Sequence, residues 1–463
     1  MLYEAIFKHL MFPSYEAMLR RRNTSRYVNE CKKNQWLSDQ DLKALQLLRL
    51  NALLSHCWAN VPFLQAYWRD HGLTPRPLSH ADELANYPTL TKALITANYD
   101  QMIATNWRGR TMSKATGGST GTPFKFEYTM DSYARRTAAM WRGYEWAGAG
   151  LGSRTAYLWG TGMRQGGWGG LKDKLYHGAF NRRFFDVFKL NVDNIDQRID
   201  EIAQYRADAV VGYVAPLALV ARRIIATGKK LGPIRGVITA AEALYESERR
   251  DIEQAFGARA FNTYGSREVM LMAAECDRHE GLHVTADQLV LETVNEQGRL
   301  MPAGQSGNVA VTDLFNYGMP LVRYLNGDCA SYATKPCSCG RSLPVLSSVD
   351  GRALDMIRTP DGRLLPGEIF VAMMLPWMQV QQYQIIQTAV DTLQFRLVMG
   401  RDWQGSERAD FIASIEKHIG TQMRIELALV DDIPVNATGK RRISVSLQNS
   451  HTVPPLPAAR DGA

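Results

Sequence analysis

The stretch Thr116-Gly117-Gly118-Ser119-Thr120-Gly121-Thr122-Pro123 stands between Lys114-Ala115 and an alternating Phe124-Lys125-Phe126-Glu127-Tyr128 run. Three glycines and four hydroxyl side chains in eight residues leave backbone N–H groups open to a ligand. Such a loop suits a polyphosphate, because N–H dipoles and hydroxyls meet anionic oxygens with little side-chain bulk in the way. No Gly-Lys-Ser/Thr closes it, so it is not a Walker A loop. By itself the composition also fits a flexible turn. Its weight comes from segments far downstream.

With 463 residues, 45% hydrophobic and 22% charged, the chain has ordinary globular composition and room for two or three domains. Fifty-four basic against 46 acidic residues leave +8, spread along the chain. The densest run, Arg20-Arg21-Arg22, has few aromatics around it and reads as a solvated face, not a nucleic-acid surface. A small anionic substrate or a nucleotide suits the positive balance. The N-terminal residues are interrupted by Glu4 and Lys8 and lack a small-residue cleavage site, so no secretory signal is expected. The uncharged, apolar stretch Ala209 to Ala221 is too short for a bilayer and holds Pro216. A cytoplasmic protein with no transmembrane segment is the expectation. Six cysteines in so long a chain make no disulfide framework. Cys31, Cys57 and Cys329 read as small core residues.

Residues 1 to about 100 read as helical. Ser38-Asp39-Gln40-Asp41 resembles a capping box ahead of Leu42, Leu45, Leu48 and Leu53-Leu54, and Asn60-Val61-Pro62 ends that helix. From about 110 to 265, apolar runs at Thr155–Trp159, Ala209–Gly212 and Gly236–Ala240 alternate with helical patterns at Asp193–Tyr205, Pro216–Thr227 and Ser247–Phe256. That alternation predicts an α/β sheet covered on both faces. Strands and turns follow to about 350, with a hairpin at Asn295–Gly298. The last hundred residues read as a small α+β unit: a strand at Leu393–Val398, a helix capped by Ser406 and carrying Ile412, Ile415 and Ile419, and a strand through Met423, Ile425, Leu427 and Leu429. The turn-prone Asp350–Asp355 marks the domain boundary, giving domains at 1–350 and 351–450 and a mobile tail at 451–463.

Five further segments follow the loop in order: Ala240-Ala241-Glu242, Asn262-Thr263-Tyr264-Gly265-Ser266-Arg267-Glu268, Leu321-Val322-Arg323-Tyr324-Leu325-Asn326-Gly327-Asp328, Asp350-Gly351-Arg352 and Asn436-Ala437-Thr438-Gly439-Lys440-Arg441. Each alone is weak. In this order the chain, over roughly residues 35 to 445, resembles the adenylate-forming superfamily of acyl- and aryl-CoA synthetases, adenylation domains and luciferases. It looks most like the phenylacetate–CoA ligase-like branch, which includes members associated with polysaccharide biosynthesis. The resemblance implies a large N-terminal domain of stacked sheets and helices and a small C-terminal lid that rotates between two half-reactions. The partners it implies are a carboxylic acid, ATP/AMP with Mg²⁺, and an acceptor that is CoA, an amine or a hydroxyl, handled by a monomer or homodimer. By resemblance, Thr116, Gly117, Gly118, Ser119, Thr120, Gly121 and Thr122 cradle the β- and γ-phosphates. Glu268 holds Mg²⁺, whose hard charge favours carboxylate oxygen. Ala241, Glu242, Asn262, Gly265 and Ser266 line the nucleotide. Tyr264 lies against adenine, Asp328 accepts from ribose hydroxyls, Arg352 supports the ribose-phosphate region, and Lys440 reaches the α-phosphate as a point charge. Tyr213 lies near the acyl pocket.

Two departures bear on the acceptor. The resemblance leads one to expect Gly-Arg-x-Asp-Asp at the hinge, but here Gly351-Arg352-Ala353-Leu354-Asp355 stands, with Leu354 for the first Asp. The Arg-Gly-x-Asn/Glu loop expected at the thiol tunnel is replaced by Arg358-Thr359-Pro360-Asp361-Gly362-Arg363, which reads as a β-turn. Adenylation is expected intact, with CoA, an amine or a hydroxyl as acceptor. A catalytically silent nucleotide-binding protein is the remaining alternative, and the presence of both Glu268 and Lys440 argues against it.

Cys337-Ser338-Cys339-Gly340 and Cys276-Asp277-Arg278-His279, followed by Gly281-Leu282-His283, supply thiolate and imidazole groups in the number a tetrahedral Zn²⁺ takes. The resemblance implies a structural zinc held by Cys276, Cys337, Cys339 and His283, with His279 as the alternative histidine. Unrelated cysteines and surface histidines are the plain reading. Trp141, Trp146 and Trp159 either line the acyl pocket or fill the core. Met163–Gly170 reads as a flexible loop or a gate, and His177 as a structural or a substrate-contacting histidine.

Overall fold

The computed structural model describes residues 2–116, 124–160, 167–187, 190, 193–242, 244, 246–350, 357–365, 367–374, 376–377, 379–420, 422–433 and 444–445. The loop residues Gly117 to Thr122, Met163 to Gly166, Arg352, Leu354, Lys440 and the tail lie outside them. Among the described residues, 2–116, 124–187 and 196–350 form one compact unit, and 190, 193–195 and those from 357 onward belong to a second.

The N-terminal hundred residues are helical. Ser38 caps helix Asp39–Asn60: its hydroxyl accepts from the Asp41 N–H at 3.0 Å. Leu42, Leu50, Leu53, Leu54 and Cys57 make its buried face, while Leu48 is exposed, so the buried stripe runs through Leu50 and not through Leu48. Pro62 opens the next helix, Pro62–Asp70, where the missing N–H costs nothing.

Strands of the first unit are β1 (Met112–Thr116), β2 (Phe124–Tyr128), β3 (Thr155–Trp159), β4 (Arg182–Asp186), β5 (Ala209–Tyr213), β6 (Gly236–Ala240), β7 (Ala260–Ser266), β8 (Met270–Glu275), β9 (Leu282–Val284), β10 (Leu289–Val294), β11 (Gly307–Asp313), β12 (Tyr324–Tyr332) and β13 (Val345–Asp350). β1 and β2 pair antiparallel, with Thr116 opposite Phe124. The others form one eleven-stranded sheet, β10-β11-β12-β13-β9-β8-β7-β6-β5-β3-β4. From β4 to β7 all pairings are parallel. From β7 through β8, β9, β13, β12, β11 and β10 all are antiparallel. β5 is buried at every position, as a strand covered on both faces must be. Helices Ile195–Tyr205, Val214–Thr227 and Glu246–Phe256 connect the parallel strands, near their expected places. One core gathers Leu50, Leu53, Leu54, Trp68 and Phe126 with Tyr324. A second gathers Phe7, Phe12 and Trp141 with Ala209 and Val211.

In the second unit, β14 (Ile357–Arg358) and β15 (Leu364–Leu365) form a hairpin, and β16 (Val380–Ala389), β17 (Thr392–Met399), β18 (Arg424–Leu429) and β19 (Ser444–Val445) form a sheet in the order β18-β17-β16-β19. Helix Glu407–Ile419 crosses between the parallel strands β17 and β18 and buries Phe411, Ile415 and Ile419 against Phe370 and Phe395. Ser406 stands at its start but does not cap it. Its backbone is already helical, and its hydroxyl donates to the Asp410 carboxylate at 2.8 Å.

Candidate functional site

Parallel strands β3, β5, β6 and β7 end at one edge of the sheet, and β7 is also where the sheet reverses from parallel to antiparallel. Ligands of open α/β sheets bind outside the carboxyl ends of the strands, where the strand order reverses and neighbouring connections diverge to leave a crevice; here the order reverses between β3 and β5. At these strand ends stand Trp159, Tyr213, Ala240-Ala241-Glu242 and Tyr264-Gly265-Ser266. The rings of Trp159 and Tyr213 lie 4.2 Å apart. Ala241 has φ +69°, a conformation costly for a residue with a Cβ, at the point where the chain leaves β6.

Gly265 is dictated by packing. A Cβ there would sit 2.3 Å from the carbonyl oxygen of Met270 on the facing strand. With no side chain, β7 and β8 close tightly, and the turn between them presents Glu268. That carboxylate is buried. Tyr324 Oη donates to its Oε1 at 2.8 Å, and Lys92 Nζ lies 3.5 Å from the same oxygen. The Tyr324 ring stacks on Phe124, at 5.6 Å and 10°, and Lys92 Nζ lies 5.8 Å from the Phe124 centroid.

Beside them, Tyr264 Oη donates to Asp328 Oδ2 at 3.0 Å. Asn326 Nδ2 reaches Tyr264 Oη at 2.7 Å and Asp328 Oδ2 at 2.9 Å, and Asn326 Oδ1 accepts from the Asp328 N–H at 3.0 Å. Asn262 stands two residues before Tyr264 on β7; its N–H donates to Glu275 Oε2 at 2.7 Å. The β1–β2 ribbon brings Lys114 over the rings of Tyr128 and Tyr133, at 4.9 and 5.0 Å. Burial, with Arg136 and Arg267 nearby, holds the Lys114 ammonium below the usual lysine range.

Sequence reading passed over Lys92 and Asn326. Asn326 lay inside a quoted motif, two residues before Asp328. Lys92 had only a local signal, the Thr91 hydroxyl that caps its helix by accepting from the Leu94 N–H at 3.2 Å. Its placement depends on Arg323, which is buried at φ +50°. The Arg323 guanidinium donates to both Glu292 oxygens at 3.1 and 3.0 Å, to Ala85 O at 3.0 Å, to Gly298 O at 2.6 Å and to Tyr87 O. Its own carbonyl accepts from Leu90 N–H at 3.0 Å, and Leu325 N–H donates to Leu90 O at 2.9 Å. The segment before Lys92 is thereby bound to the strand that carries Tyr324, Asn326 and Asp328.

Elsewhere in the same unit Cys276, His283, Cys337 and Cys339 converge, their ligand atoms all within 4.8 Å of one another. Cys276 Sγ and Cys337 Sγ are 3.7 Å apart, and Cys339 Sγ and His283 Nε2 are 3.3 Å apart. Zinc bonds of about 2.3 Å to sulfur and about 2.0 Å to nitrogen give tetrahedral edges of about 3.8 and 3.5 Å, so the donor set fits. Backbone N–H groups of Arg278 and Arg341 meet Cys276 Sγ and Cys339 Sγ, both at 3.4 Å. His283 Nδ1 lies 3.0 Å from Leu343 O, which keeps its proton there and turns the Nε2 lone pair to the thiols. Burial holds this imidazole below its usual pKa, hence neutral. Gly281, at φ +115°, lets β9 approach β13, since a Cβ there would meet Leu346 O at 2.5 Å.

The alternative histidine is excluded from this cluster. His279 Nδ1 faces Glu275 Oε2 at 3.4 Å and its ring packs on Phe261 at 4.7 Å. Trp146 belongs to the cluster's surroundings: its ring edge meets His283 at 5.6 Å and its Nε1 donates to Gln35 at 2.9 Å. The Arg341 guanidinium bridges Trp36 and Trp146, at 5.0 and 4.9 Å. Trp141 is core, and His177 packs between Tyr176 and Phe184. In the second unit, Arg358 to Arg363 make the turn joining β14 and β15, with Thr359 N–H donating to Arg363 O at 2.9 Å.

Residues 358–446 match the CapK C-terminal domain family. The chain is 24% identical over 365 residues to a phenylacetate-coenzyme A ligase of Thermus thermophilus, covering 77% of this chain and 80% of that one. It is 22% identical over 455 residues to protein CapK of Staphylococcus aureus, covering 95% and 97%. A crystal structure of 2-hydroxyisobutyryl-CoA ligase in complex with 2-HIB-AMP and CoA has the same fold, with TM-score 0.63 and 18% identity over 90% of this chain and 92% of that one. The chain is thus similar in sequence to phenylacetate-coenzyme A ligases and to CapK, its residues 358–446 match the CapK C-terminal domain, and its fold is that of 2-hydroxyisobutyryl-CoA ligase.

Proposed function

We propose that this protein joins a small carboxylic acid to the α-phosphate of ATP, releasing pyrophosphate, and then transfers the acyl group from the adenylate to an acceptor. A free carboxylate is a poor electrophile because its leaving group would be oxide. As an acyl-adenylate it has a good one. The work left to the protein is positioning and neutralisation of phosphate charge. The carrying observation is the buried Glu268 carboxylate, held by Tyr324 and Lys92 beside the Tyr264–Asn326–Asp328 network at the sheet reversal.

In this reading Glu268 offers a hard oxygen to Mg²⁺, which supplies charge neutralisation at the phosphates. Lys92 balances the same carboxylate. Tyr264 presents a ring face to adenine, and Asn326 orients the Asp328 carboxylate for ribose hydroxyls. Thr116 to Thr122 receive the β- and γ-phosphates, Arg352 supports the ribose-phosphate region, and Lys440 brings its charge to the α-phosphate. Ala241, Glu242 and Asn262 edge the nucleotide, and Tyr213 with Trp159 edges the acid. Cys276, His283, Cys337 and Cys339 hold a structural Zn²⁺ that braces β8, β9 and β13 away from the chemistry. The need for ATP suits a cytoplasmic enzyme, acting as monomer or homodimer.

The direct test is carboxylate-dependent exchange of pyrophosphate into ATP. No exchange across a broad panel of acids, with nucleotide bound normally, defeats the proposal. CoA is the acceptor suggested by the ligase relatives. An amine or hydroxyl acceptor is favoured by Leu354 and by the tight Arg358–Arg363 turn. AMP release stimulated by CoA supports the first acceptor, and release stimulated only by amines or sugars supports the second.

A further inference from the structure

Residues 2–19 turn their charged side chains toward the protein while most of their large apolar side chains face water, unlike an ordinary surface helix. Phe7–Met11 and Tyr15–Leu19 wind as wide i→i+5 turns, which brings Phe7, Phe12 and Glu16 to the buried side. Phe7 and Phe12 pack edge-on against Phe180, at 5.0 and 5.9 Å. Every charged residue of the segment is engaged: Glu4 with Arg235 at 3.4 Å, Lys8 with Glu145 at 3.1 Å, and Glu16 with the Thr24 hydroxyl.

The outward face carries Leu2, Ile6, Leu10, Met11, Met18 and Leu19, with Leu10 65%, Met18 80% and Leu19 74% exposed. Together with Tyr3 these are seven of the fifteen large apolar side chains exposed among the described residues, so the exposure is concentrated and not scattered. Directly after them come Arg20 and Arg21, both exposed, and Arg26 follows on the next helix. An apolar strip with a cationic border, and no exposed carboxylate within it, is complementary to anionic headgroups over acyl chains. A helical strip of this length covers about 27 Å by about 10 Å, well short of the roughly 800 Å² per partner that a stable dimer needs. No described helix is long and apolar enough to cross a membrane, so the strip would lie on a bilayer and not span it.

We propose that residues 2–22 dock this protein reversibly on an anionic lipid surface, Leu10, Met18 and Leu19 entering the acyl boundary while Arg20 and Arg21 meet headgroup phosphates. This stands independently of the reaction proposed above.

The test uses the full chain and sedimentation with phosphatidylcholine vesicles, with and without phosphatidylglycerol. The protein should sediment with the anionic vesicles and be released by salt. Leu10→Glu with Leu19→Glu should lower that partition about tenfold or more, and Arg20→Glu with Arg21→Glu should do the same. Both exposed-face pairs should keep wild-type melting and pyrophosphate exchange. Absence of binding to anionic vesicles overturns the proposal, as does equal binding by both folded variants. A solution dimer that Leu10→Glu with Leu19→Glu dissolves would instead give the strip to a second copy of the chain and overturn it as well.

Discussion

Tyr324 donates a 2.8 Å hydrogen bond to Glu268 Oε1 although the two are 56 residues apart. The bond ties the turn after β7 to the first residue of β12, so the carboxylate has one orientation before any ligand arrives. Glu268→Gln should lower pyrophosphate exchange by about a hundredfold or more, the scale of losing a preorganised charge at a phosphoryl centre. Tyr324→Phe should cost less, about tenfold, and should raise the Mg²⁺ concentration needed for half-maximal rate. A Tyr324→Phe enzyme with unchanged Mg²⁺ dependence would show that the hydroxyl is only structural.

Lys440→Ala should abolish adenylation while leaving the melting temperature unchanged, because a charge aimed at the α-phosphate contributes to the reaction and not to a core. Exchange assays and calorimetry on the same preparation separate the two effects. A large drop in melting temperature would mean the lysine holds the fold instead.

Purified protein should contain zinc by elemental analysis. Cys337→Ser and His283→Ala should lose it and melt several degrees lower, since metal binding energy is folding energy. His279→Ala should retain the metal, because its ring packs on Phe261. Equal zinc content in all three variants would refute the ligand assignment.

Asp287 and Arg142 form a fully buried pair at 2.8 Å. Burial alone would push the Asp287 carboxyl up, but Arg142 and the amides of Gln288 and Asn34 hold it below the usual carboxylate range. The stabilisation is therefore present above the unfolded value of about 4 and is lost as pH falls through the lower folded value. Asp287→Asn should cost about 3–5 kcal/mol at neutral pH, since it leaves the guanidinium buried and unpaired. It should also flatten the acid limb of melting temperature against pH. Parallel acid limbs for wild type and variant would assign the acid sensitivity to other groups.

The gathering of the cysteine cluster illustrates how far local reading reaches. The Cys337-Ser338-Cys339-Gly340 turn was plain from its own residues, and the thiols pointed to a soft metal. The choice between His279 and His283 was not, because the two differ by which strand each joins. His283 lies on β9, opposite Val345, whereas His279 precedes it in a turn at φ +56°.

The likeness of the motif order to a known family pointed to an adenylating enzyme, while periodicity and turn chemistry by themselves determined the alternation of strands and helices and the α+β character of the C-terminal unit. These last two depend on contacts within a few residues. Only the tertiary structure decided that Lys92 faces Glu268, that Asn326 joins Tyr264 to Asp328, that Trp146 serves the cysteine cluster, and that residues 2–19 show their apolar side to water. Each of these rests on pairing between distant strands and on where the core takes its buried face, which no local pattern encodes.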